Sequence, residues 1–288
     1  MSLSILTNIS AMNTQQNLLN SSNAVANSME RLSSGLRINS AADDAAGYAI
    51  SEGLTSQVNG LDQASSNTND AVSMVQTASA SLTNIQNMLQ RVYELGVQYA
   101  NGSNSGTDQT DIQNEVNQLT QEIDRQTTAS NFNGTNLLNG TAGGTGAGGT
   151  VTFQVGANFG DSLTATFSGV EGNSGLGGLG FNWGNASVGG AVIALTSNGS
   201  TLQAITTAIN NLSTMAATLG AVQNRLQYTS DSIASSEQNL TATNSGIKDV
   251  NMAQEMTSMT QEQILEQAGT AMLAQAQQQP QLILKLLG

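Results

Sequence analysis

The chain has 288 residues, of which 38% are apolar, 3% aromatic and only 9% charged, with a formal net charge of −13. A typical soluble domain carries about a quarter charged residues; here Asn, Gln, Ser, Thr and Ala take their place, giving neutral surfaces suited to close packing against copies of the same chain. The acidic balance argues against nucleic acid and anionic membranes as partners, and with no Cys and no His the zinc hydrolases, Ser-His-Asp triads and Cys-His nucleophiles are excluded, as is any cofactor site built from them.

Residues 1–36 read as a helix. Their opening, "MSLSILTNISAMNTQQ", has neither a basic n-region nor a continuous apolar core, so it is not a Sec signal peptide, and no run of about 18 apolar residues marks a transmembrane helix. Ile5, Ile9, Met12, Gln16 and Leu19 are spaced by alternating fours and threes, and a second such line runs Leu18, Ser22, Val25, Met29, Leu32, Leu36. With little charge beside it, this helix is expected to be marginal alone and stable only when packed. Gly35 breaks the pattern. Ser40 then reads as an N-cap with Asp43 in a capping box and Asp44 in the same first turn, where carboxylates face the positive end of the helix dipole. A catalytic carboxylate dyad is the competing reading of Asp43 and Asp44, but no pocket-forming motif accompanies it.

A long helix is predicted from Ala41 to about Ala100, best patterned at Val75, Ala78, Leu82, Ile85, Leu89, Val92, Gly96 and Tyr99. "NGSNSGTD" (101–108) reads as a turn, and Ile112, Val116, Leu119 and Ile123 mark a shorter helix. Between 132 and 200 the character changes: all five Phe and the only Trp fall there, with nineteen of the thirty Gly. "VTFQV" and "LTATF" alternate apolar and polar residues around "GANFGD", which predicts a hairpin. "GNSGLGGLGFNWGN" reads as loop. Beyond it Ile205, Leu212, Leu219, Leu226, Ile233, Leu240 and Ile247 recur every seven residues, a helix of roughly 70 Å. Its companion line, Leu202, Ile209, Ala216, Gln223, Ser230, Glu237, Asn244, turns polar halfway. The C-terminal part carries Met252, Met256, Met259, Leu265 and Met272, and Pro280 is expected to end its helical pattern. The apolar tail "LILKLL" suits burial in an assembly or on a chaperone.

The fold class expected is therefore mainly α: a long antiparallel helical bundle or coiled-coil rod formed by the N- and C-terminal parts, with a small β-hairpin insertion. The boundaries expected are 1–42 with 250–288 for a terminal helix pair, 43–140 with 201–249 for a helical rod, and 141–200 for a short Gly-rich variable region.

"RLSSGLRINSAADDAAGYAISEGLTSQVNGL" resembles the N-terminal signature of bacterial flagellin, as do "NTNDAVSMVQTASASLTNIQNMLQRVYELGVQYAN" and "EIDRQTTASNFNGTNLLNG". "LGAVQNRL", "NLTATNSGIKDVNMAQEM" and "QAGTAMLAQAQQQPQLILKLL" are similar to its C-terminal part. The resemblance implies a structural subunit of the flagellar filament, secreted by type III export, extracellular and not an enzyme. It implies an inner tube built from the terminal helices and an outer tube from the rod. It places Arg31, Leu32, Leu36, Arg37 and Asp43 on the spoke between them, and Met252, Met256, Met259, Leu265, Met272 and Leu282 among the subunit-packing residues. The partners implied are copies of the chain, an export chaperone, the filament cap and the hook-junction proteins. Through "LQRVYEL" and "IQNEV" the flagellin-sensing Toll-like receptor is added, with Gln90, Arg91, Glu94, Leu95, Ile112 and Glu115 as contacts. Tyr93 stands where the family commonly has a basic residue, and Gly96 where Ala is commoner; packing of neighbouring subunits is the competing role for these positions. The alternatives are a hook–filament junction protein, a flagellin bearing an enzymatic centre, and a secreted coiled-coil effector or adhesin. A metallopeptidase centre would need H-E-x-x-H, and the chain has no His.

Overall fold

The computed structural model describes residues 8–143, 149–167, 169, 193, 195 and 200–287, with the backbone alone for 279–287. Ile5, the loop at 172–185 with Trp183, and the side chains of "LILKLL" lie outside the described residues. The elements run α1 (Ile9–Ser34), α2 (Ala45–Tyr99), α3 (Gly106–Ala129), the short strands β1 (Asn131–Phe132) and β2 (Thr135–Asn136), β3 (Thr150–Gln154), β4 (Ser162–Thr166), α4 (Ser200–Lys248) and α5 (Met252–Leu287). They fall into two compact units, Met1–Gln57 with Gln238–Gly288, and Val58–Glu237.

In the first unit α1 lies antiparallel to α5. Asn8 caps α1, its side chain accepting from the Ala11 N–H at 3.1 Å, and its Nδ2 donates to the carbonyl of Ala276 at 2.8 Å. Gly35 ends α1 in the left-handed region at φ 74°, returning its N–H to the Arg31 carbonyl. This is the conformation glycine adopts without a Cβ penalty. Beside that stop the two chain segments meet again: the Val250 N–H donates to the Gly35 carbonyl at 3.0 Å, and Leu36 and Asp249 form an antiparallel bridge.

The face of α1 that is covered is Ala11, Thr14, Leu18, Ser21, Val25, Ser28 and Leu32, a regular 3-4 repeat. The covered face of α5 is Glu255, Met259, Glu262, Glu266, Gly269, Leu273 and Ala276, equally regular. Gly269 brings α5 within 3.4 Å of Leu18, measured to where a Cβ would stand. The helix pair is thus joined through a mixed face, in which Leu18, Val25, Leu32, Met259 and Leu273 stand among small and polar residues. Of the two apolar lines read from the sequence, Ile9, Met12, Gln16 and Leu19 are exposed, and the second is split: Leu18, Val25, Leu32 and Leu36 are covered while Ser22 and Met29 are not.

In the second unit α2, α3 and α4 share one core with the hairpin. Val75, Ala78, Leu82, Ile85, Leu89 and Val92 meet Ile112, Val116 and Ile123 from α3 and Ile205, Leu212, Leu219 and Leu226 from α4. β3 and β4 pair antiparallel from Thr150↔Thr166 to Gln154↔Ser162. Their alternation turns Val151, Phe153, Leu163, Ala165 and Phe167 to the helices. The hairpin tip closes on α2 at Gly60, where a Cβ would stand 2.9 Å from that of Ala157. Gln113 holds a further segment in place: its Nε2 donates to the Ile193 carbonyl at 2.6 Å and its Oε1 accepts from the Leu195 N–H at 2.8 Å. Some buried hydroxyls are satisfied within their own helices, as where Thr68 and Thr120 donate to the carbonyls of Ala64 and Val116 at 2.7 Å, while the Ser130 hydroxyl donates to that of Ser81 at 3.0 Å.

Two local expectations change, and one short element is added. Ser40 and Asp43 do bond reciprocally, but they close a turn; α2 begins at Ala45 with Asp44 as its cap, whose Oδ1 accepts from the N–H groups of Ala46 and Gly47 at 3.1 and 3.0 Å. Both aspartates have capping chemistry, and the Tyr48 N–H bonding to the Asp44 carbonyl decides between them. Pro280 does not stop α5, which continues to Leu287; an interior proline loses one hydrogen bond and crowds the carbonyl four residues back, which weakens or kinks a helix without obliging it to end. "NFNGTN" forms β1 and β2 around Asn133 (φ 48°) and Gly134 (φ 78°), a tight turn that strands of two residues are too short to announce by alternation.

The heptad line of α4 is fully buried through Leu226, and only half-buried at Leu240 and Ile247. Leu226→Ala should therefore cost about 2–5 kcal/mol in denaturant unfolding of the monomer, and Leu240→Ala less than about half of that. Equal losses would contradict the observed ending of the dry seam.

Candidate assembly surfaces

Two surfaces gather the residues singled out in the sequence. The first lies on the terminal helices and the segments that join them. On α1 it exposes Ile9, Met12, Leu19 and Met29, and on α5 Met252, Met256, Ile264, Leu265 and Met272. These side chains lie outside the covered repeat, so each helix keeps a mixed apolar and polar face towards its partner and leaves further large apolar side chains uncovered. Of the residues named from the sequence, Met252, Met256, Leu265 and Met272 belong to the uncovered set. Met259 is half-buried on the face towards α1, and the side chain of Leu282 lies outside the described residues. Ile264 belongs with the exposed set.

The residues placed on the spoke hold the link between α1 and α2. Leu32 faces α5, Leu36 makes the bridge to Asp249, and the Arg37 guanidinium donates to the Ile247 carbonyl at 2.6 Å while its N–H donates to the Lys248 carbonyl at 2.7 Å. Arg37 is thus engaged within its own chain. Asp43 Oδ2 accepts from the N–H groups of Asn39 and Ser40 and from the Ser40 hydroxyl. The Ser40 N–H, then its hydroxyl, then the Asn39 N–H and the nearby charge of half-buried Arg31 hold the Asp43 carboxyl below the usual aspartate range. Alongside, Lys248 donates to Glu52 at 3.1 Å and stands 5.9 Å from the Tyr48 ring. Asn244 Nδ2 donates to Thr55 Oγ1 at 3.1 Å. These fastenings join residues about two hundred positions apart, which local spacing could not reveal.

The second surface joins α2 to α3. Arg91 Nε donates to Glu115 at 3.0 Å and its NH1 to Glu94 at 3.1 Å, with Gln90 exposed beside them. Leu95 and Ile112 are in the core, 2% and 7% exposed, beneath this polar cluster. Tyr93, Val97, Ile50, Tyr228 and Phe159 at the hairpin tip are further exposed apolar side chains that carried no sequence signal of their own. Among the described residues, no three carboxylates converge as a metal site, and no helix is long and apolar enough to cross a membrane.

Comparison with known proteins matches this chain at both ends. The family described as "Bacterial flagellin N-terminal helical region" matches residues 5–143, and "Bacterial flagellin C-terminal helical region" matches 202–287. The flagellin of Bacillus subtilis (strain 168) is 41% identical over 302 residues, covering 97% of this chain and 98% of its own. The flagellar filament 33 kDa core protein of Treponema phagedenis is 43% identical over 288 residues, with the same coverage. Among solved structures, that of Bacillus cereus flagellin aligns at 29% identity with a TM-score of 0.47, over 58% of this chain and 88% of that one.

The Asp43 geometry gives a pH dependence. Because its folded pKa is depressed, its contribution is complete above the ordinary value of 3.8 and is lost as the pH falls through the lowered one. Hydrogen-exchange protection of the Asn39 and Ser40 amides should hold at neutral pH and collapse only in acid, and Asp43→Asn should lower it at neutral pH while making little difference in acid. Protection that is unchanged by the substitution would refute the assigned role.

Proposed function

We infer the function from one premise, that the chain belongs to the bacterial flagellin family: it is a structural subunit that polymerises into the flagellar filament. The observation that carries the mechanism we propose is that the pairing of α1 with α5 leaves large apolar side chains of both helices uncovered. Among the described residues, nine such side chains on α1 and α5 are exposed in the single subunit. Completing their burial, at about 1.5–3 kcal/mol for each fully transferred side chain and roughly half of that for one already half-covered, stabilises a subunit by on the order of 10 kcal/mol. Lost translational and rotational freedom opposes this with about 4–15 kcal/mol. The near balance favours addition to a filament end, where several neighbours are met at once, over isolated dimers. Contacts that repeat head to tail without closing then extend as a helix.

On this reading residues 1–42 with 250–288 form the inner tube and 43–140 with 201–249 the outer one. The residues at 141–200 form the variable region, although Leu163, Ala165 and Phe167 share the helical core. The link residues Arg31, Leu32, Leu36, Arg37 and Asp43 order the segment that joins α1 to α2. The exposed line on α5 needs cover before assembly, which suits an export chaperone on the C-terminal helix. Passage through the flagellar type III pathway, a filament cap and junction proteins at the hook complete the set of partners. The Toll-like receptor is proposed as a further partner through Gln90, Arg91, Glu94 and Glu115, with Leu95 and Ile112 acting from the core by holding α2 against α3.

Deleting residues 250–288 should abolish elongation of filament seeds, seen by negative-stain electron microscopy, while the 58–237 unit keeps its cooperative melting. Normal filaments from the truncated chain would remove the burial argument. For the receptor, Arg91→Ala should weaken signalling by the purified monomer about tenfold or more, as a central interface arginine does; an unchanged dose response would dismiss that surface.

A further inference from the structure

The methionines of this chain are sorted by environment. Of the ten, Met74 is buried in the core of the second unit, and Met88 and Met215 pack half-buried against it. Met12, Met29, Met252, Met256 and Met272 lie on α1 and α5 and are 47–62% exposed. They make up five of the nine large apolar side chains exposed on the terminal helices among the described residues. Leucine would bury a similar apolar surface without a reactive atom. Methionine places a thioether, the softest nucleophile this cysteine-free chain possesses, on the surface that remains open until a subunit is incorporated.

We propose that these five methionines are an oxidative modification site through which a peroxide blocks incorporation of the free subunit. The thioether sulfur attacks one oxygen of hydrogen peroxide. The O–O bond breaks, an S–O bond forms, the sulfur is oxidised by two electrons, and the second oxygen leaves as water. The product is a sulfoxide, polar and chiral where the thioether was apolar and flexible. Burying it against an apolar neighbour without a donor is unfavourable, and several such groups act on one subunit. In the filament the same faces are covered, so assembled subunits are protected while free ones are not. This rests on the reading that neighbouring copies cover these exposed side chains.

The test treats monomer and filament of the full chain with hydrogen peroxide, maps sulfoxides by peptide mass spectrometry, and follows elongation of filament seeds. Sulfoxide should accumulate on Met12, Met29, Met252, Met256 and Met272 in the monomer, with Met74 spared, and should be sparse on all of them in the filament. Elongation by the oxidised monomer should fall about tenfold or more and should recover after treatment with the two methionine sulfoxide reductases, which reverse both epimers. The five-fold Met→Leu variant should elongate equally well with or without peroxide. Undiminished elongation by monomer carrying these sulfoxides would overturn the proposal, as would failure of the reductases to restore it. If the five-fold variant does not assemble, the reductase arm on the unsubstituted chain still decides. Failure of the unoxidised chain to extend seeds would instead overturn the assembly reading itself.

Discussion

The pairing of α1 with α5 leaves large apolar side chains of both helices uncovered. Ala11, Thr14, Leu18, Ser21, Val25, Ser28 and Leu32 turn towards α5, which answers with Glu255, Met259, Glu262, Glu266, Gly269, Leu273 and Ala276. The shared face is mixed: Leu18, Val25, Leu32, Met259 and Leu273 stand among small and polar residues. Further large apolar side chains, at Ile9, Met12, Leu19, Ile264, Leu265 and Met272, lie outside it. A pair that covered these as well would be a stable hairpin with nothing left to offer a neighbour. In the proposed assembly the pair is completed by other copies, so folding of the ends and growth of the filament become one transition.

The second unit is held by different means. Its three helices and hairpin share a core in which α2 and α4 contribute unbroken buried lines, and it needs no neighbour to exclude water from them. The low charge of the chain fits both arrangements. Few ion pairs are present among the described residues, and those at Arg91 and Arg125 are exposed, where such pairs contribute about 1 kcal/mol or less. Order in the long helices comes from packing, from caps such as Asp44 and Ser105, and from hydroxyls returned to their own backbone.

How far this could be read from the sequence depends on whether a signal is periodic and local. The seven-residue recurrence from Ile205 to Ile247, the line from Val75 to Tyr99, the β3–β4 alternation and the stop at Gly35 are all local, and each lies where its pattern placed it. The start of α2 was four residues off because Asp43 and Asp44 both have capping chemistry and only the backbone register separates them. Which apolar line of α1 faces α5 was not legible at all. Periodicity says that a helix has an apolar face, but not whether that face is satisfied within the chain or outside it. The same holds for Lys248 with Glu52, Asn244 with Thr55, and Gln113 with the segment at Ile193 and Leu195, contacts between residues far apart in sequence.

The central claim is that the covered repeats of α1 and α5 join the helices within a subunit and that the apolar side chains left uncovered join subunits to one another. Electron cryo-microscopy of filaments grown from this chain, at side-chain resolution, tests it most directly. The account predicts that Ile9, Met12, Leu19, Ile264, Leu265 and Met272 contact neighbouring copies, while Leu18, Val25, Glu262 and Glu266 stay between α1 and α5 of their own subunit. Filaments in which Ile9, Met12, Leu19, Ile264, Leu265 and Met272 pack within one subunit, or remain open to water, would contradict it.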